Sequence, residues 1–232
     1  MTSKSEWKIA YPPIDPDSSE RRFFDEHQWA SIEAATARII PTDQDPGARE
    51  AQVTRFIDYY LSGIEYIFAS ADGSGFLKIE GLPETAWRER MAAMQQTYRD
   101  GIEEVDAISE RRYGSSFKDL AADDQDQVLV ELSGAPKPEP VEVGRGRPAT
   151  TFLQGSFDEG MNFFNALVLH TRQGYYGDPA YGGNKDRVGW KVIGFPGPES
   201  LASTNDLSFS VRDALVHDVE WADLIPHLKR QG

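Results

Sequence analysis

One periodic segment, residues 87–108, constrains the fold of this chain more than any other feature. Its apolar residues recur at intervals of three or four: Trp87, Met91, Met94, Tyr98, Ile102, Val105 and Ile108. This spacing places all of them on one face of an α-helix. Pro83 suits the first turn of such a helix, and Gly114 suits the residue that ends it. We therefore predict a long helix from Pro83 to about Arg112, with Met94 and Tyr98 buried in its apolar stripe.

Shorter segments also have helical patterns. Asp25 and Gln28 form a capping box, which predicts the start of a helix that ends before Pro41. Apolar stripes predict further helices over 53–68, 125–132 and 157–170. A weaker pattern predicts one more helix over 211–216.

Prolines and glycines interrupt these patterns. Residues 133–155 contain four prolines and four glycines and cannot sustain a helix. A second irregular stretch runs over 174–205 and includes a strand-like piece at 188–195. Residues 1–22 contain three prolines among polar residues, which is typical of an extended lead-in. We predict an all-α fold, an irregular helical bundle with long ordered Gly/Pro-rich loops. A single domain would cover 23–232, with 133–155 as an insertion and 1–22 as the lead-in.

Charge and composition exclude several classes of function. The formal net charge of −14 disfavours binding to nucleic acid or to anionic lipid, and no apolar stretch approaches the roughly 20 residues that span a bilayer. The chain has no cysteine, so thiolate metal sites and cysteine nucleophiles are absent. No glycine-rich phosphate loop, Gly-x-Ser-x-Gly or His-Glu-x-x-His motif occurs. We therefore expect no nucleic-acid partner, no membrane insertion and no cofactor bound by this chain itself.

The four histidines are far apart in sequence, which weakens any metal-site hypothesis. His170 with Asp178 or Asp186 has the donor atoms that zinc or iron binds. The favoured alternative is a histidine that packs and forms hydrogen bonds locally at a helix end.

The paired arginines Arg21 and Arg22 resemble part of a twin-arginine export signal. Such a signal continues into an apolar stretch of roughly seven residues or more, whereas the acidic and polar residues 25–28 follow here. We therefore expect a cytoplasmic protein. The alternative is a periplasmic protein whose export signal has been removed.

Residues 170–197 have a distinctive composition, with seven glycines, two prolines and five aromatic residues. Such a density of glycine and proline fixes a defined but non-repetitive backbone. Tyrosine and tryptophan supply the contact area that protein interfaces favour. Two interpretations remain open, a surface for a protein partner and an ordered loop that packs on its own helices.

This segment resembles the signature of the gluconate 2-dehydrogenase subunit 3 family. In the family, a helix ends in His and is followed by Gly-Asp-Pro-x-Tyr-Gly-Gly-Asn, then Gly-Trp and Gly-aromatic-Pro-Gly. The matching residues are His170, Gly174, Asp178, Pro179, Tyr181, Gly182, Gly183, Asn184, Gly189, Trp190, Gly194, Pro196 and Gly197. The segments 38–48, 58–61 and 112–120 are also similar, and the resemblance covers about 23–132 and 157–198.

The resemblance implies a small accessory subunit that stabilises a larger flavoprotein dehydrogenase of the glucose-methanol-choline type. The partner would hold FAD and oxidise sugars, sugar acids or glycosides, with a cytochrome c or another acceptor taking the electrons. We expect no catalytic residue in this chain and place its partner interface at Tyr175, Tyr176, Asp178, Tyr181, Gly182, Gly183, Asn184, Lys185 and Trp190. The loop 175–185 would lie near the mouth of the partner's substrate pocket.

Two alternatives to a stable subunit remain. The chain could be a folding or escort chaperone that leaves the mature complex. It could also be a free-standing enzyme that uses Tyr181, Lys185 and Asp186, which is the least favoured alternative.

Overall fold

Helices form most of the chain that the structure describes. The computed structural model describes residues 9–15, 17–63, 68–69, 74–78, 81–134 and 160–198. The helices are α1 (Glu26–Ile39), α2 (Val53–Ser62), α3 (Leu82–Tyr113), α4 (Ala122–Ser133), α5 (Phe163–Tyr176) and α6 (Val188–Val192). Short 3₁₀ turns lie at Phe117–Asp119, Pro179–Tyr181 and Lys185–Arg187. The fold is all-α, as the sequence predicts.

The two helices with the clearest sequence signals have the predicted bounds. The capping box of α1 is present, since the Asp25 carboxylate accepts from the backbone N–H of Gln28 at 2.8 Å. Helix α3 ends at Tyr113, and its C-cap is Gly114, whose φ of +70° favours glycine. Met94 and Tyr98 are buried, which confirms the orientation of its apolar stripe.

Helix α5 lies at the centre of the bundle together with α1 and α3, because each of these three packs against the other two and against α2 and α4. The approach of α5 to α3 depends on Gly101, where a Cβ atom would lie 2.0 Å from the ring of Phe163. A side chain at Gly101 would therefore force the two helices apart.

A small antiparallel sheet accompanies the helices. It contains β1 (Ile9–Tyr11), β2 (Phe68–Ala69) and β3 (Phe76–Leu77) in the order β1-β3-β2. Ile9 pairs with Leu77, so the extended lead-in joins the body of the protein through main-chain hydrogen bonds.

Three sequence predictions about secondary structure are wrong. The helix predicted over 53–68 ends at Ser62 with Gly63 as its C-cap, and Phe68–Ala69 pairs as a strand with β3. Helix α5 starts at Phe163, where the Asn162 side chain caps it, and continues beyond His170 to Tyr176. The strand-like piece at 188–195 contains the helix α6.

The remaining predictions about organisation fall on other parts of the chain. The helix at 211–216, most of the 133–155 insertion, and the start of the 157–170 pattern lie outside the described residues. The single-domain prediction for 23–232 stays a prediction.

Candidate functional site

The candidate site is the segment after α5, and its centre is the buried side chain of Asn184. The Asn184 Oδ1 atom accepts the backbone N–H of Gly189 at 2.9 Å, and Nδ2 donates to the carbonyl of Gly177 at 2.9 Å. The Asn184 backbone N–H donates to the carbonyl of Gly174 at 2.7 Å. One residue therefore joins the end of α5, the loop after it and the start of α6.

The backbone of this segment is held in an unusual conformation. Four non-glycine residues in the described part of the chain have positive φ, and three of them lie here: Asn184 (46°), Asp186 (55°) and Arg187 (58°). Asparagine and aspartate tolerate this region better than most residues, but Arg187 carries a cost. The hydrogen bonds of Asn184 offset that cost.

Two signature glycines are required by close backbone contacts. A Cβ atom at Gly183 would lie 2.2 Å from the carbonyl oxygen of Gly174, and one at Gly189 would lie 2.0 Å from that of Tyr175. Real Cβ atoms do not approach backbone this closely, and these carbonyls belong to helix α5. Only glycine lets the segment fold back against α5.

Two aromatic residues of the signature region donate hydrogen bonds to main-chain carbonyls. The Trp190 Nε1 atom donates to the carbonyl of Tyr176 at 2.7 Å, and the Trp190 ring makes an edge contact with Phe195. The Tyr175 hydroxyl donates to the carbonyl of Pro46, which lies in the loop before α2. Burial raises the pKa of the Tyr175 phenol, and neighbouring acidic groups raise it further.

The structure divides the predicted interface residues into two groups. Tyr175, Gly183, Asn184 and Trp190 are buried within this chain, so they do not present the surface that the sequence prediction gave them. Their contacts correspond to the alternative interpretation, a loop that packs on its own helices. The residues that reach solvent are Tyr176, Asp178, Tyr181, Gly182 and Lys185, with Tyr176 42% exposed. The partner interface stays a prediction for this second group.

The loop that the sequence predicts over 175–185 begins two residues later in the structure. Tyr175 and Tyr176 belong to the last turn of α5, so the loop begins at Gly177. The Asp178 carboxylate accepts the backbone N–H of Ala180 at 2.9 Å and caps the turn Pro179–Tyr181.

Sequence reasoning missed the contacts between the lead-in and α2. The buried Asp58 carboxylate accepts three backbone N–H groups, from Arg22 (2.7 Å), Phe23 (2.9 Å) and Phe24 (2.8 Å). Arg55 is also buried and donates to the carbonyl of Asp15. The sequence feature that indicates these contacts is the presence of two charged residues, Arg55 and Asp58, within the apolar pattern of α2, since charged side chains are rarely buried without partners.

The lead-in also contacts the candidate site. Lys185 Nζ lies 3.3 Å from the Asp17 carboxylate, and the Lys185 backbone N–H donates to the carbonyl of Ala51 at 3.1 Å. The segment after α5 is therefore fastened to the start of α2 and to the lead-in.

His170 lies in the core of the bundle. Its Nδ1 atom lies 2.8 Å from the Tyr98 hydroxyl, the two rings are stacked, and His170 is 1% exposed. Within the part of the chain that the structure describes, no three His, Cys, Asp or Glu residues are grouped to hold a metal ion. His170 therefore packs and forms a hydrogen bond in the core, but it lies within α5 and not at the helix end that the sequence predicted.

An aromatic pocket lies beside the segment. Its floor is Tyr59 and Phe76, which are buried. Half-buried rings of Phe56, Tyr60, Trp87 and Tyr181 form its walls, together with Ile14 of the lead-in and Gly63. The empty space of the pocket is about 400 Å³ when the part open to solvent is included, and Tyr181 is the signature residue in its described lining.

A comparison with known families found a match over most of the chain. The family model described as gluconate 2-dehydrogenase subunit 3 matches residues 26–197, which include all six helices and the whole signature. The chain belongs to this family. It is thus an accessory subunit of a dehydrogenase complex. The family predicted from the sequence is confirmed.

The other comparisons add no relative. No curated protein and no solved structure matches the chain. In the described ranges, no helix has the length and apolar character needed to cross a membrane.

Proposed function

We propose that this chain is the non-catalytic small subunit of an FAD-dependent dehydrogenase of the glucose-methanol-choline type. The large subunit would bind FAD and oxidise sugars, sugar acids or glycosides, and this chain would stabilise it. The observation that carries the proposal is the family match over residues 26–197.

The buried signature residues make their contacts within this chain, which supports a non-catalytic role. The Asn184 side chain forms hydrogen bonds with the backbone, and Gly183 and Gly189 allow the backbone to approach α5 closely. The Trp190 indole donates to the carbonyl of Tyr176. These residues give the subunit a rigid shape, and a rigid surface binds a partner at a lower entropic cost than a flexible one.

The three residues of the enzyme alternative have separate surroundings. Lys185 forms an ion pair with Asp17 of the lead-in, and the Tyr181 ring packs near that of Phe76 in the sheet. Asp186 is exposed to solvent. This arrangement favours a subunit over a free-standing enzyme, since catalytic groups need to converge on one reacting atom.

We propose a cytoplasmic location for the complex; the observation that supports it is that the residues after Arg21 and Arg22 lead into the capped helix α1. Fractionation of cells that produce the native protein tests this placement. Recovery of the mature chain from the periplasm would contradict it.

Co-expression of the tagged chain with a candidate flavoprotein dehydrogenase from the same genome tests the function. We expect the two chains to purify together, with FAD in proportion to the large subunit, and the chain alone to be colourless. A yellow, flavin-containing chain purified without a partner would refute the proposal. A large subunit that needs the chain during folding but purifies without it would favour the escort alternative.

A further inference from the structure

Exposed apolar side chains are clustered where α5 and α6 meet. Five large apolar residues in the described part of the chain are exposed, and three of them lie here: Tyr176 (42%), Val192 (38%) and Ile193 (57%). The Trp190 indole donates to the carbonyl of Tyr176, which holds α6 against the end of α5. Apolar side chains that are exposed together are typical of a surface that a partner covers.

Two basic residues lie among these apolar ones. Arg172 precedes Tyr176 by one turn of α5, so both side chains are on the same helix face, and Lys191 precedes Val192 on α6. Arg172 and Lys191 are exposed, and neither forms a salt bridge or a side-chain hydrogen bond in the part of the chain that the structure describes. We call Arg172, Tyr176, Lys191, Val192 and Ile193 the α5–α6 face.

The charge of this region is opposite to that of the chain as a whole. Residues 170–197 contain four basic and two acidic residues, whereas the whole chain has a net charge of −14. The acidic residues Asp43, Asp45 and Glu50 lie near Tyr175, which is buried and points about 100° away from Tyr176 around the helix. The α5–α6 face therefore complements a surface that carries carboxylates.

The same charges limit what can cover this face. The net charge of the chain disfavours nucleic acid and anionic lipid. A two-fold dimer of this chain would place the face against its own copy, which brings Arg172 and Lys191 close to like charges. A different protein, with acidic and apolar side chains together on its surface, meets neither objection.

We propose that the α5–α6 face binds an acidic and partly apolar surface of the catalytic dehydrogenase subunit. Carboxylates of that subunit face Arg172 and Lys191, and its apolar side chains pack on Tyr176, Val192 and Ile193. This inference rests on the proposed function, and it extends the interface predicted from the sequence, which includes Tyr176, along α5 and onto α6. Tyrosine and arginine are among the residues that dominate the binding energy of interfaces.

The test is the affinity of the full-length chain for the flavoprotein that co-purifies with it. Val192→Asp places a negative charge in the apolar part of the face, and we expect it to weaken binding at least about tenfold. Val130→Asp is the matched control, because Val130 is the same residue type with almost the same exposure, 37%, and lies on α4. The control should bind like the wild type.

A second pair of variants tests the charge complementarity. Lys191→Glu should weaken binding about fivefold at low salt and by less at high salt, since salt screens exposed charge pairs. Lys78→Glu is its control, because Lys78 is also exposed, lies just after β3 and gives the same change in net charge. We expect Lys78→Glu to bind like the wild type at both salt concentrations.

The outcomes separate this inference from the proposed function. If the wild type binds, and Val192→Asp and Lys191→Glu bind as tightly as their controls, the inference is wrong and the subunit function stands. If no flavoprotein binds the wild type, the proposed function fails and this inference fails with it.

Two measurements on the isolated chain test the other ways in which the face could be covered. A thermal melt of Val192→Asp far below that of Val130→Asp would show that the chain covers the face itself. A dimer of the wild-type chain that Val192→Asp dissociates, measured by sedimentation velocity, would show that a second copy covers it. Either result would overturn the inference.

Discussion

Replacing Asn184 by alanine tests whether this residue holds the segment after α5. The change removes the acceptor of the Gly189 N–H and the donor to the Gly177 carbonyl. A buried polar group that loses its partner costs about 1–3 kcal/mol, so the two together cost about 2–6 kcal/mol. That is a large part of the 5–15 kcal/mol by which domains are typically stable.

The backbone conformation supplies a matched comparison. Asn184 has φ 46° and ψ 41°, where alanine is strained by roughly 1–2 kcal/mol and glycine is not. Asn184→Gly should therefore lose the same hydrogen bonds but be about 1 kcal/mol more stable than Asn184→Ala. Asn165→Ala, at an exposed position of α5, is the control and should change stability by less than about 0.5 kcal/mol.

Chemical denaturation followed by circular dichroism and tryptophan fluorescence measures these differences. Trp190 reports on the segment directly, because its indole donates to the carbonyl of Tyr176 beside Asn184. If Asn184→Ala is as stable as Asn165→Ala, the hydrogen bonds of Asn184 do not hold the segment and the reasoning is refuted.

Three further predictions use the same measurements. Gly189→Ala should destabilise the fold by several kcal/mol, because the new Cβ would lie 2.0 Å from the carbonyl oxygen of Tyr175. At Gly194 a Cβ meets no atom within 4 Å, so Gly194→Ala should cost only about 1–2 kcal/mol of backbone strain. Equal effects of the two changes would contradict the close-approach argument. Asp58→Asn should release the lead-in to limited proteolysis while the bundle stays folded, since one of its oxygens becomes a donor facing a backbone N–H; an unchanged cleavage rate would contradict this role. Tyr175→Phe should cost about 1 kcal/mol at neutral pH through the lost bond to Pro46. The raised pKa of Tyr175 stabilises the fold below pH ~10, so the wild-type advantage over Tyr175→Phe should shrink as pH rises through the folded-state pKa; a constant difference would contradict this.

The helices that sequence predicted well are those with local signals. The capping box of α1 and the apolar stripe of α3 depend on neighbours within a few residues, and both give bounds close to those observed. The extension of α5 to Tyr176 could not be predicted in this way. Gly174 normally weakens a helix, but here the ring of Phe56 packs at its Cα and requires a glycine.

The partner interface stays a prediction, and the structure shows that several of the residues predicted for it are buried within the chain. The composition of residues 170–197 indicated that this segment is special but left two interpretations open, because glycine, proline and aromatic residues occur both in interfaces and in ordered loops. Which rings point inward depends on contacts with distant residues, such as Tyr175 with Pro46 and Lys185 with Asp17. Those partners are more than 120 residues away in sequence, so no local pattern reveals them.

The most direct test of the proposed function is dehydrogenase turnover by the chain alone, by the large subunit alone and by the complex, each measured per bound flavin with an artificial electron acceptor. We predict no turnover by the chain alone. The large subunit alone should be active at first but lose its flavin and its activity faster than the complex does. Turnover by the isolated chain, or a large subunit whose lifetime is the same with and without it, would contradict the account.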